Sequence, residues 1–309
     1  MKRINLKIGW LLLALPLLAI AGSNIYHRYL RSAFTKALMS DDVGAVQRLL
    51  GWGVSPNEQI LQDYPLFITL SRYQKQRNPM MPVFERVPAC EEIALSLIKH
   101  GANIEVKRPD NLTPLLYAIQ VDARKVVREL LDRHANLKAK DNLKNTALHL
   151  ACTYSKREVV QWLLVGGCDV NAVNQFGYTP LTIAAQGSKP LTAQLLVEHG
   201  ANIHIPDQSG QTPLFTAVAA GNSSDKDRQK NALQTAQYLL SKGADPRTPD
   251  KQGQTVATMA GYSPNMLEVL GKMGIPFPAH GTKEEGVLFQ NAVSSGNLEI
   301  AMRCRTAIP

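Results

Sequence analysis

A chain of 309 residues with 45% apolar side chains has ample material for a core, which excludes a disordered chain but leaves open two ordinary domains or one long array. The formal charge of +9 invites a nucleic-acid reading, yet residues 1–31 alone carry Lys2, Arg3, Lys7, Arg28 and Arg31 with no acid, leaving 29 basic against 25 acidic side chains elsewhere. So mixed a surface does not call for a phosphate backbone. The chain opens with those basic residues, and Ile8–Ala21 is a nearly pure apolar run ending in Ala19-Ile20-Ala21, small residues at the positions a signal peptidase reads. Residues 1–25 are therefore expected to be either a cleaved signal peptide or an N-terminal hydrophobic helix that stays in the membrane. The second is open because 18 residues, Ile8 to Ile25, just span a bilayer, with Tyr26 and Tyr29 at its far interface. Both versions export the folded part; a cytoplasmic array on an opposite-facing anchor is the lesser case, left open because Arg28 and Arg31 blunt the charge asymmetry across the run.

Beyond the leader, Ser32–Asn57 holds a helix pair ending Leu49-Leu50-Gly51-Trp52-Gly53. Tyr64-Pro65-Leu66 opens a second unit whose other half is Ala94–Asn103, with an insertion near 73–88 between them. That insertion carries Met80, Met81, Val83 and Phe84, which either pack back on the array or meet a partner. Then a beat sets in: Thr113-Pro114-Leu115, Thr146-Ala147-Leu148-His149, Thr179-Pro180-Leu181 and Thr212-Pro213-Leu214 follow at intervals of 33 residues, and Thr255 after 43. Gly101-Ala102-Asn103, His134-Ala135-Asn136, Gly167-Cys168-Asp169, Gly200-Ala201-Asn202 and Gly243-Ala244-Asp245 keep the same intervals. One polar insertion of ten residues, near 221–231, explains both departures and is expected to be a solvated loop. Fixed-period self-similarity of this length means a stacked array.

The residue types suit helix ends. Pro at the first helical position gives up an N–H that has no partner there, Thr before it caps with its hydroxyl, and Gly at the far end takes positive φ. His134 replaces that Gly and is expected to cost a little stability. These landmarks, with Leu-Leu pairs at 130–131, 163–164, 195–196 and 239–240, resemble the ankyrin-repeat family over residues 32–309. The resemblance implies an all-α solenoid of about eight helix-turn-helix units joined by short β-hairpins. The units fall near 32–57, 58–105, 108–140, 141–173, 174–206, 207–249, 250–278 and 282–309, the outer ones acting as caps.

No catalytic, cofactor or metal pattern appears. The cysteines at 90, 152, 168 and 304 form no Cys-x-x-Cys pair, and no phosphate loop, Gly-x-Ser-x-Gly or His-Glu-x-x-His is present. His100, His134, His149 and His199 occupy repeat positions and are expected to be structural, as are Cys152 and Cys168. Asp141, Asp207 and Asp250, with Asn174 in register, stand where the family braces its hairpins. The resemblance implies a non-catalytic module that binds a protein through its concave face. Carried onto this chain, that face includes Leu112, Val121, Leu143, Tyr154, Phe176, Tyr178, Gln186 and Gln211, with the large apolar groups gathered in the middle repeats. Leu143 and Phe176 could instead stack between neighbouring hairpins. The expected setting is the periplasm or the inner membrane of a bacterium, reached by residues 8–25 if they are retained. Two roles fit there: an immunity-type inhibitor of a secreted toxin, or a scaffold docking on a membrane enzyme. Lipid or nucleic-acid contact through the basic leader-proximal segment is a third, lesser possibility.

Overall fold

The computed structural model describes residues 23–76, 87–260 and 283–294. Within them run fourteen helices: α1 (Ser23–Met39), α2 (Val43–Gly51), α3 (Pro65–Gln76), α4 (Val87–Lys99), α5 (Pro114–Gln120), α6 (Arg124–Asp132), α7 (Ala147–Tyr154), α8 (Arg157–Val165), α9 (Pro180–Gln186), α10 (Pro190–Glu198), α11 (Pro213–Ala220), α12 (Lys226–Ser241), α13 (Val256–Ala260) and α14 (Lys283–Ser294). The leader through Gly22, the core of the first insertion and the residues around Ser263-Pro264 lie outside the described residues. The chain divides into two compact units, Met1–Arg108 with Ala123–Ala135, and Pro109–Asp122 with Asn136–Pro309.

The helix starts follow from the motif. Thr113, Thr179 and Thr212 accept hydrogen bonds from the Leu116, Thr182 and Phe215 amides, and Pro stands in the first turn of each of these helices. The second helices end at Gly101, Gly167, Gly200 and Gly243, all at positive φ, and His134 takes the same conformation at φ 58°.

In the first unit, α1 packs on α2, α3 on α4, and α4 on both α2 and α6. Phe34, Leu38, Phe67, Leu70, Ile93 and Leu97 fill the space between them. One ion pair is sealed into this layer: Arg72 donates from Nε and Nη2 to the two carboxylate oxygens of Asp41 at 2.8 and 2.7 Å. The Asp41 side chain is 3% exposed, so the fork-to-fork geometry compensates a desolvation that a lone carboxylate would not survive.

In the second unit the first helices α5, α7, α9, α11 and α13 lie in one row and the second helices α8, α10 and α12 in another. Leu115, Leu148, Leu181 and Leu214 repeat as the fully buried residue after the helix start, and Ile119, Cys152, Ala185 and Val218 repeat four positions on. That is the i, i+4 spacing of one buried helix face.

Two expectations are corrected. The β-hairpins do not form among the described residues, where isolated bridges such as Lys140↔Thr146 are the only β pairing. The loops instead turn around a side-chain acceptor, which takes the amides a ladder would need. Nor is the 221–231 insertion a loop: from Lys226 onward it is helix, lengthening α12 to 16 residues against nine in α8 and α10. Asp225 makes this possible by accepting from the Asp227 and Arg228 amides as N-cap.

Candidate functional site

The second unit carries a row of loop tips, each built the same way. Asp141 Oδ1 accepts from the amides of Leu143 and Asn145, at 2.9 and 2.8 Å. Asn174 Oδ1 does so for Phe176 and Tyr178, Asp207 for Ser209 and Gln211, and Asp250 for Gln252 and Gln254. A single acceptor thus fixes a five-residue loop, the service that the family resemblance implies for this position. Neutral Asn174 fits because its amide Nδ2 also donates to Asn145 Oδ1 in the preceding tip at 2.9 Å.

Backbone bonds join tip to tip. The amides of Asn142, Gln175, Gln208 and Lys251 donate to the carbonyls of Asp110, Leu143, Phe176 and Ser209 at 3.3, 2.9, 3.1 and 2.9 Å. Gly177 and Gly210 permit this approach. A Cβ on Gly177 would stand 2.8 Å from the Gln208 amide nitrogen, and one on Gly210 would stand 2.9 Å from that of Lys251.

His149 locks one tip to the helix below it. Its Nδ1 accepts from the Thr146 amide at 3.2 Å, which places the ring proton on Nε2, and Nε2 donates to the Tyr178 carbonyl at 2.9 Å. Burial pulls its pKa below the ordinary imidazole value, outweighing the carbonyl's pull in the other direction. The ring is a neutral strut.

The eight residues picked from sequence separate by exposure. Leu143 and Phe176 are each 44% exposed and Tyr154 51%. Tyr178 is half-buried, its ring 5.9 Å from that of Phe176 and tilted by 37°. Leu143 and Phe176 serve the array through their carbonyls, and their side chains still face solvent. Gln186 is exposed. Gln211 is half-buried, with Nε2 3.4 Å from Asp250 Oδ2 in the next tip. Leu112 and Val121 are only 6% and 5% exposed and belong to the core, because their register position turns inward in the first full repeat. The tips thus bring together Leu143, Phe176 and Tyr178. Tyr154 and Gln186 stand at the C-terminal ends of α7 and α9, about 10–12 Å of helix away from those tips.

Those helix ends hold two cations the repeat pattern does not single out. Lys189 Nζ donates to the carbonyls of Cys152 and Thr153 at 2.7 and 2.8 Å, and Arg228 Nη2 to that of Gln186 at 3.1 Å. Each covers helix-end carbonyls in the preceding repeat, where positive charge also meets the favourable end of the dipole. The only sequence signal for Lys189 is its place at the start of a second helix, and Arg228 had none, since it lies in the insertion.

Cys152 and Cys168 are not poised for nucleophilic chemistry. Burial pushes the Cys152 thiol up to about 12 and that of Cys168 up to about 11. Among the described residues no three His, Cys, Asp or Glu side chains converge to hold a metal ion.

A family model for ankyrin repeats in three copies matches residues 88–173 and again 153–250, together more than half of the chain. A search among curated proteins found no match.

Proposed function

We propose a function from one premise: the chain belongs to the ankyrin-repeat family, whose arrays are generally protein–protein interaction modules. The tip row of the second unit binds a partner protein, and exposed Leu143 and Phe176, with half-buried Tyr178 beside them on consecutive tips, are its centre. The observation that carries this is the exposure of Phe176 and Leu143 on loops already held by Asp and Asn braces and by a backbone ladder. Their side chains are not needed for the loop fold, and large rings held rigid at low entropic cost are the usual anchors of an interface. Tyr154 extends the surface along the first helices.

The setting proposed is the cell envelope, as a periplasmic protein or one tethered to the inner membrane. Export is supported by the order of basic residues, apolar run and small residues in 1–21, together with the folded array that follows. Among the described residues no helix is long and apolar enough to cross a membrane; the tether proposed is the apolar run from Ile8 to Ile25.

A pull-down from the native envelope with the intact chain and a Tyr154→Ala/Phe176→Ala/Tyr178→Ala variant tests the face, with circular dichroism and thermal melts to confirm equal folding. A protein retained by the intact chain and lost by the variant is the expected result. The same protein retained by both would remove these aromatics from the interface.

A further inference from the structure

We propose that the outward side of α1 lies against an anionic phospholipid surface. This deepens the tethered form of the envelope placement, on which it rests. The helix is two-sided. Leu30, Phe34, Ala37 and Leu38 are buried, at the i, i+4, i+7, i+8 spacing of one face. The opposite side presents Arg28, Tyr29, Ser32 and Lys36, all exposed. A shallow recess there is lined by Arg28, Arg31, Ser32, Thr35 and Lys36, every one of them able to donate a hydrogen bond and none of them an acid.

No Asp or Glu occurs in the first forty residues. The acids that follow are committed elsewhere. Asp41 holds Arg72, Asp42 caps α2, and Glu58 pairs with Arg31 at 2.9 Å, while Arg31 Nη2 also donates to the Gln59 carbonyl. Arg28 and Lys36 have no acidic partner among the described residues. Between them Tyr29, 55% exposed, is an amphipathic ring of the kind that settles at headgroup level.

Unneutralised cations, hydroxyls and one aromatic ring complement phosphate headgroups and the layer beneath them. Chain order favours lipid over nucleic acid. Arg28 follows the apolar run by seven residues, about 10 Å if helical and about 25 Å if fully extended. A bilayer holding Ile8–Ala21 therefore keeps Arg28 within about one to three Debye lengths of its surface. Two free cations are also few for a nucleic-acid backbone, whose binders neutralise many phosphates at once.

The test uses the full chain with Ser32→Cys labelled by an environment-sensitive fluorophore, corrected by the parent chain taken through the same labelling. It is incorporated into vesicles of phosphatidylcholine alone or with 30% phosphatidylglycerol. The expected result is a blue-shifted emission confined to the anionic vesicles and reversed by 0.5 M NaCl. Arg28→Gln/Lys36→Gln should lower the docked-to-free ratio roughly 25-fold, since each basic side chain near such a surface contributes about a factor of five. Equal emission in both vesicles, or a blue shift undiminished in the double variant, overturns the proposal. So does a shift produced by inorganic phosphate or a DNA oligonucleotide without vesicles. Incorporation into both vesicles with an unshifted fluorophore leaves the membrane placement standing and removes α1 from the surface, whereas failure to incorporate at all sinks both.

Discussion

At the scale of single residues, the backbone conformation of one tip position separates two kinds of cost. Asn111, Lys144, Gly177, Gly210 and Gly253 all sit at positive φ. Among the described residues a methyl on Gly253 meets nothing within 4 Å, so Gly253→Ala carries only the left-handed penalty, about 1 kcal/mol. Gly177→Ala adds a collision with the next tip's backbone and should cost about 2–3 kcal/mol. Urea midpoints of the two variants check this, and equal losses would mean that the tips can separate at no cost. In the other direction, Lys144→Gly should gain up to about 1 kcal/mol, and His134→Gly a similar amount.

His149 makes stability depend on pH. Burial holds its folded pKa below the unfolded value of about 6.5, so the unfolded chain binds the proton more readily. The ring's contribution is whole above that value and declines as the pH falls through it toward the folded one. His149→Leu should be less stable than the parent at pH 8, and the gap between them should narrow as the pH drops toward 5. A constant gap would show that the imidazole does not titrate in this window.

At the scale of elements, the braces and the extra turns of α12 matter most. Asp207→Ala leaves the Ser209 and Gln211 amides without their acceptor and should cost about 1–3 kcal/mol, with faster hydrogen exchange confined to those amides and the neighbouring tip. The elements themselves are legible in the sequence. Thr-Pro pairs marked helix starts, the positive-φ positions marked helix ends, and the 33-residue beat gave their order. Composition misled at residues 221–231. A run of Ser, Asp, Lys, Arg, Gln and Asn is polar enough for a loop, but Asp225 caps it and Arg228 spans to Gln186, so it continues a helix whose Ala232 and Leu239 are buried in the core. Leu112 and Val121 misled for the opposite reason. A register carried across repeats assigns a face on average, and the local packing of one repeat turned both side chains inward.

For the whole molecule, charge is divided by position. The tip row exposes Asp110, Lys144 and Lys251, charges of both signs, but the Asp207 and Asp250 carboxylates are buried in their own loops and the proposed centre is apolar. Capture of a partner through the tips should therefore persist between 50 and 500 mM salt, whereas contact made by the basic first helix should fade over that range. Retention measured across a salt series separates the two. Steep loss of the captured protein would move the interface away from the aromatics.

The longer α12 has one more consequence. Counted along the chain, the last interval is ten residues out of step, yet the Lys251 amide reaches the Ser209 carbonyl at 2.9 Å, the same bond its neighbours make. The tips form an evenly toothed comb whose pitch ignores what is threaded through its spine. Asn222–Asn231 is then a site for cargo: cutting it out forfeits the Arg228 bond to Gln186 but none of the bonds between tips, so capture should persist, and an epitope or a crosslinker could be carried there without disturbing a single tooth.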